Sequence, residues 1–168
     1  MYQLQYRRWE NRIELVTENG LTKLLTDNNS SKPLISPYGL KAIYLSPFEW
    51  ETLTNLYVID LNTGDSLKVV GAVDEKSVPK DAIWINDIHI ALIIGYAFGV
   101  FSDGGNIYIY NLLDRKMCRM TEWNFYRQAT KLEFKRGLLR FEGIEYLNNT
   151  LSKSKEFQGE LDMELYLS

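Results

Sequence analysis

Three stretches of the chain share one pattern. NLYVIDLNTGDSLKVV from Asn55, NIYIYNLLDRKMCRMT from Asn106 and NRIELVTENGLTKLLT from Asn11 each open on Asn and an alternating apolar segment. Each then turns over polar-biased residues, the turn being shorter in the copy at Asn11, and ends on a second alternating segment. Period-two alternation sends successive side chains to opposite faces of a strand, so each copy reads as a β-hairpin. The starts lie 44 and 51 residues apart, which is propeller-blade spacing. A repeated hairpin cannot cover its own apolar face, so the copies must stack on one another.

The segments ahead of the hairpins also correspond. KPLISPYGLKAIYLSPFEW (32–50), KDAIWINDIHIALIIGYAF (80–98) and TKLEFKRGLLRFEGIEYL (130–147) each hold a short strand, a turn and a longer strand. The chain therefore reads as all-β and as one domain over residues 1–168. Its units run roughly over 1–31, 32–79, 80–129 and 130–168. The first would lack its first strand and the fourth its last, giving about 14 strands of antiparallel meander sheet in a partial or irregular propeller-like stack. No capping box leads into an i, i+4 apolar stripe, so no strong helix is expected. Asn148–Glu160, polar and without period, reads as a long exposed loop.

Composition narrows the function classes. Aromatic residues make up 13%, with 11 Tyr, 7 Phe and 4 Trp, which suits pleated surfaces. The net charge is −3 and no basic stripe exists, which speaks against nucleic acid. The longest apolar stretch, Ile88–Phe101, spans 14 residues and contains His89 and two glycines. A membrane helix needs about 20, so no membrane span is expected. Cys118 is the single cysteine, which leaves no disulfide and no cysteine-based zinc site within the chain. MYQLQYRRWE carries no export pattern and reads as cytoplasmic as given; a preceding leader would place the domain outside the cell.

SPYGLKAIYLS (36–46) followed by NLYVIDLNTGD (55–65) resembles the blade pattern of TolB-like and WD40-like β-propellers, with Tyr38 where Asp is usual. The tract over roughly residues 32–121 also resembles an uncharacterised bacterial family, domain of unknown function 4652. The resemblance implies a β-rich domain with no established activity. Fewer than four full blades fit, whereas closed propellers typically have 4–8. The expected object is a partial stack whose edges would need homo-oligomerisation or a non-standard closure to protect them.

The most site-like stretch is ALIIGYAFGVFSDGGNIYIY (91–110). Its glycines, Gly95, Gly99, Gly104 and Gly105, do not lead into a helix as a phosphate cradle would. They read as turn devices that supply φ > 0. The repeat makes this stretch a long inter-strand loop, equivalent to PFEWETLT (47–54) one unit earlier. Stacking would bring both loops to one edge, with Phe48, Trp50, Tyr96, Phe98 and Phe101 near Glu49, Glu51 and Asp103. Aromatic planes beside carboxylates suit a protein or peptide partner, a glycan or a cationic ligand. A hydrolase using Glu49, Glu51 or Asp103 would need those carboxylates to converge. Asp60–Asp65 lacks the order of calcium ligands and reads as a hairpin turn. His89 sits in an apolar strand and reads as a structural histidine or one hydrogen-bonded to a neighbour. The four tryptophans read as core or inter-sheet anchors, Trp84 most clearly. No metal and no cofactor is expected. The reading is a non-catalytic interaction domain.

Overall fold

The computed structural model describes residues 1–167. Fourteen strands form four antiparallel sheets in chain order. The first sheet holds β1 (Gln3–Arg7), β2 (Arg12–Val16) and β3 (Thr22–Thr26). The second holds β4 (Leu34–Ile35), β5 (Lys41–Ser46), β6 (Asn55–Asp60) and β7 (Ser66–Val70). The third holds β8 (Ser77–Trp84), β9 (His89–Tyr96), β10 (Asn106–Asn111) and β11 (Lys116–Arg119). The fourth holds β12 (Arg127–Lys135), β13 (Leu138–Tyr146) and β14 (Ser154–Asp162). The outer sheets have three strands and the inner two have four, as the repeat predicts. The third and fourth sheets begin a few residues ahead of the expected unit starts, at Ser77 and Arg127.

The sheets stack face to face in a propeller-like manner, and one apolar layer fills each junction. Ile13 and Leu15 meet Ala42, Tyr44 and Ile59 between the first and second sheets. Ile43, Leu45 and Leu56 meet Trp84, Ile90 and Leu92 between the second and third. Ala91, Ile93 and Ile107 meet Leu132, Leu139 and Phe141 between the third and fourth. β9 feeds two of these layers, which is why it reads as a nearly continuous apolar run. Among the described residues, no apolar cluster joins the fourth sheet to the first. The stack is open.

Its two outer faces are polar. On the first sheet, Glu14 points away from Ile13 and Leu15 and accepts from Arg7 Nε at 3.1 Å and Arg12 Nη2 at 2.6 Å. The Arg7 hydrogen bond is the main cause that holds its carboxyl below the usual range, with Arg12 adding to it. On the fourth sheet, Lys131 pairs with Glu142 at 3.8 Å and Arg140 with Glu160 at 3.6 Å.

Three expectations need correction. Asn148–Glu160 is not all loop, because Ser154–Asp162 pairs along β13 from Tyr146 to Leu138. Gly95, Gly104 and Gly105 are not positive-φ turn residues; of the loop glycines only Gly99 is, at φ 100°. The other three sit where backbones touch. A methyl group on Gly104 would fall on the Ala129 carbonyl, and one on Gly105 on the Ile94 carbonyl. Finally, Trp9 is 95% exposed and Trp50 68%, so neither is a core anchor. Trp84 is buried and donates its indole N–H to the Leu34 carbonyl at 2.8 Å.

Candidate functional site

The β5–β6 loop (47–54) and the β9–β10 loop (97–105) lie side by side, and one bond ties them. The Gly99 amide donates to Glu51 Oε1 at 3.1 Å. Glu51 has φ 55° and Gly99 φ 100°, so both loops bend sharply at the tie. Each loop is braced internally. Thr54 Oγ1 donates to the Pro47 carbonyl at 2.8 Å, and Ser102 Oγ donates to the Phe98 carbonyl at 2.9 Å. Phe48, Trp50, Phe98 and Val100 are left exposed on either side of the tie.

A shallow cleft of about 140 Å³ runs between the loops, with Phe48, Glu49, Trp50, Glu51 and Asp103 in its lining. Lys80 reaches its floor. A β-bulge between Pro79 and Asp81 makes Lys80 the extra residue of β8 and re-aims its side chain, whose Nζ donates to the Ser102 carbonyl at 2.8 Å. Burial pulls the Lys80 ammonium below the usual lysine range, and Asp103 opposes that shift. Glu49, Glu51 and Asp103 thus share one cleft, but Glu51 is engaged by Gly99. Among the described residues, no three His, Cys, Asp or Glu side chains are placed to hold a metal ion.

The remaining predicted aromatics turn elsewhere. Tyr96 leans toward Phe125, ring centroids 5.9 Å apart, and Phe101 meets Tyr146 edge-on at 5.7 Å. Tyr96 borders a second cleft of about 320 Å³ at the end of the third sheet. That cleft also involves Asp74, Arg119, Trp123, Phe125 and Arg127; the sequence reading took Trp123 only as a core or inter-sheet anchor and gave the others no role. The run WNFYR (123–127) supplies Trp123, Asn124, Phe125 and Arg127 to it, and its clustering of aromatics with an arginine is the sequence signal for the site. Buried Gln128 fixes this region. Its Oε1 accepts from the Gly104 amide at 3.0 Å, and its Nε2 donates to the Phe101 and Phe125 carbonyls at 2.9 and 2.8 Å.

His89 opens β9 and is partly buried rather than sealed in the core. Asn86 Oδ1 accepts from the Ile88 and His89 amides, which identifies that atom as the oxygen. The 3.1 Å contact to it therefore makes His89 Nδ1 a donor. Asn111 Oδ1 likewise accepts from the Leu113 amide, so Asn111 Nδ2 donates to His89 Nε2 at 3.2 Å. The ring is held neutral, and burial lowers its pKa against the pull of Asp114.

No protein-family model matches the chain, and no curated protein matches it. The resemblance of residues 32–121 to the 4652 family has no counterpart in that comparison. Solved structures do match. A protein from Clostridium novyi NT, described as a conserved lipoprotein, superposes with a TM-score of 0.71 at 17% identity, covering 79% of this chain and 86% of that one. An oligogalacturonate lyase in complex with manganese gives a TM-score of 0.60 at 13% identity over 92% of this chain. A prolyl endopeptidase gives 0.59 at 9% over 96%. The chain spans 40% of the lyase and 25% of the endopeptidase. At these identities the likeness is one of fold: an all-β stack of meander sheets. Among the described residues, no helix is long and apolar enough to cross a membrane.

Proposed function

We propose that the protein is a non-catalytic interaction domain that engages a protein or peptide partner through the edge formed by the 47–54 and 97–105 loops. One observation carries this reading. The Glu51–Gly99 tie holds two loops from neighbouring sheets together and leaves Phe48, Trp50, Phe98 and Val100 exposed around it. Large side chains kept in water cost the free chain burial they could otherwise have, and contiguous exposed apolar groups rimmed by charge mark contact surfaces. Glu49, Glu51 and Asp103 supply that charge. Membership in the 4652 family, which residues 32–121 resemble, is part of this reading and adds no activity to it. A described lipoprotein shares the fold, so the search for partners begins at the cell envelope.

The test compares crosslinked partners recovered by the wild-type chain and by a Trp50→Ala, Phe98→Ala double variant of unchanged circular dichroism. A hot-spot aromatic contributes about 2 kcal/mol or more, so the partner's affinity should fall at least about thirtyfold. Equal recovery by the folded double variant would overturn the reading.

A further inference from the structure

The cleft at the end of the third sheet holds two arginines, Arg119 and Arg127, that are only weakly paired with carboxylates among the described residues. Arg127 lies over two rings, its guanidinium carbon 4.3 Å from the centroid of Phe157 and 5.0 Å from that of Trp123. Its Nε is buried and has no hydrogen-bond partner. The carboxylate it faces, Glu145, pairs with it only at 3.9 Å through Oε1, while its other oxygen is held closely by Lys155 at 2.8 Å. Arg119 lies 5.9 Å over Tyr108 and commits only its Nε, to the Thr121 carbonyl at 2.8 Å. Among the described residues its terminal nitrogens have neither an acceptor nor an ion-pair partner. One carboxylate shares the cleft, Asp74, and it is turned into its own loop, where it accepts from the Ser77 amide at 2.8 Å and the Lys76 amide at 3.4 Å.

A chain of net charge −3 thus sets two guanidiniums against aromatic walls in a cleft of about 320 Å³. That volume suits a single-ring ligand. A guanidinium resting on rings is weakly hydrated and already oriented, and its donor fork matches a carboxylate.

We propose that this cleft binds a small carboxylate carried on a ring, the carboxylate held by Arg119 and Arg127 and the ring laid against Trp123 and Phe125. Aromatic acids and uronic acids share this chemistry. The cleft shares Ser102, Gly104 and Gly105 with the 97–105 loop but none of the exposed Phe48, Trp50, Phe98 or Val100, so the proposal does not rest on the partner reading given to that edge.

The test titrates the full chain with phenylacetate, with glucuronate and with the neutral phenylacetamide, followed by tryptophan fluorescence and calorimetry. At least one acid should saturate with a dissociation constant of about 1 mM or below, as befits so small a ligand. Which acid binds tells an aromatic ring from a sugar ring. Phenylacetamide should bind at least about tenfold more weakly than phenylacetate wherever the latter binds, as loss of a charge-assisted contact requires. Arg127→Gln and Arg119→Gln should each weaken the bound acid by about tenfold. If Arg127→Gln lowers the melting temperature, the rim variant Arg119→Gln decides. Absence of saturation by both acids up to about 20 mM overturns the proposal. So does an amide that binds as well as its acid, or undiminished binding by Arg119→Gln.

Discussion

Asp81 Oδ2 accepts the backbone amide of Leu132 at 3.1 Å, so a side chain of the third sheet closes an open backbone position of the fourth. The bond falls where both strands are irregular. β8 is bulged between Pro79 and Asp81, and β12 between Ala129 and Lys131. A bulge leaves ladder groups unpaired, and Asp81 serves two of them, since its Oδ1 accepts from the Ala82 amide at 2.9 Å. Burial pushes its carboxyl above the usual range, while these two amides act against that shift. Asp81→Ala should therefore destabilise the domain by about 1–3 kcal/mol, the cost of leaving a buried amide unpaired. Differential scanning calorimetry should show a melting temperature lower by several degrees. An unchanged value would mean that water replaces the carboxylate without penalty.

Gly104→Ala should be more damaging than its modest chemistry suggests. The added methyl would meet the Ala129 carbonyl where the third and fourth sheets touch, and neither backbone can yield. Overpacking of this kind typically costs about 1–3 kcal/mol, and two rigid backbones place this case at the upper end. Denaturant titration of the purified variant measures it. A midpoint close to wild type would show that the two sheets can part locally.

The neutral His89 ring makes stability depend on pH in a defined direction. Its folded pKa lies below the unfolded value, so the unfolded chain binds more protons between the two. Stability should fall as pH drops below about 6.5 and level off once the folded pKa is passed. Asp81, raised by burial, gives a slope of opposite sign at lower pH. The comparison of wild type with His89→Gln separates the two. The variant should lose the slope just below pH 6.5 (about the free histidine value), read as denaturant midpoint against pH. Parallel curves would show that folding leaves the His89 titration unchanged.

Glu51→Ala should leave global stability within about 0.5 kcal/mol, as exposed positions generally do. It should nonetheless speed hydrogen exchange at Gly99 by about fivefold, which corresponds to loss of about 1 kcal/mol of local protection. Mass-resolved exchange of the 97–105 loop reads this directly. Unaltered exchange would show that the two loops are positioned by their own internal braces.

Much of the architecture is legible from the residues. The alternation at Asn55, Asn106 and Asn11 yields the hairpins because successive side chains turn to opposite faces, both of which are covered by neighbouring sheets in the inner two units. β14 escapes the same reading. Its outward face carries Glu156, Gln158 and Glu160, and on its inward face Gly159 stands where an apolar residue would mark the period. The ring of Phe141, opposite Gly159 on β13, fills that place. Periodicity in one strand cannot register a side chain lent by another. The loop glycines mislead for a related reason: a requirement for φ > 0 and a requirement for close backbone approach both select glycine, and only the fold separates them. Lys80 leaves no sequence trace, because its direction comes from a bulge. The exposure of Trp9 and Trp50 is equally invisible in composition.

The charged outer faces bear on how such a chain can be copied. Tandem duplication would place the Arg140–Glu160 layer of one copy opposite the Arg7–Glu14–Arg12 layer of the next. Joining them as a seventh interior junction would strip water from at least five charged side chains and offer little apolar surface beyond Leu24 in return. A gene fusion of two copies should thus give two beads on a string rather than one eight-sheet body. Lengthening the stack would require rewriting both terminal faces first.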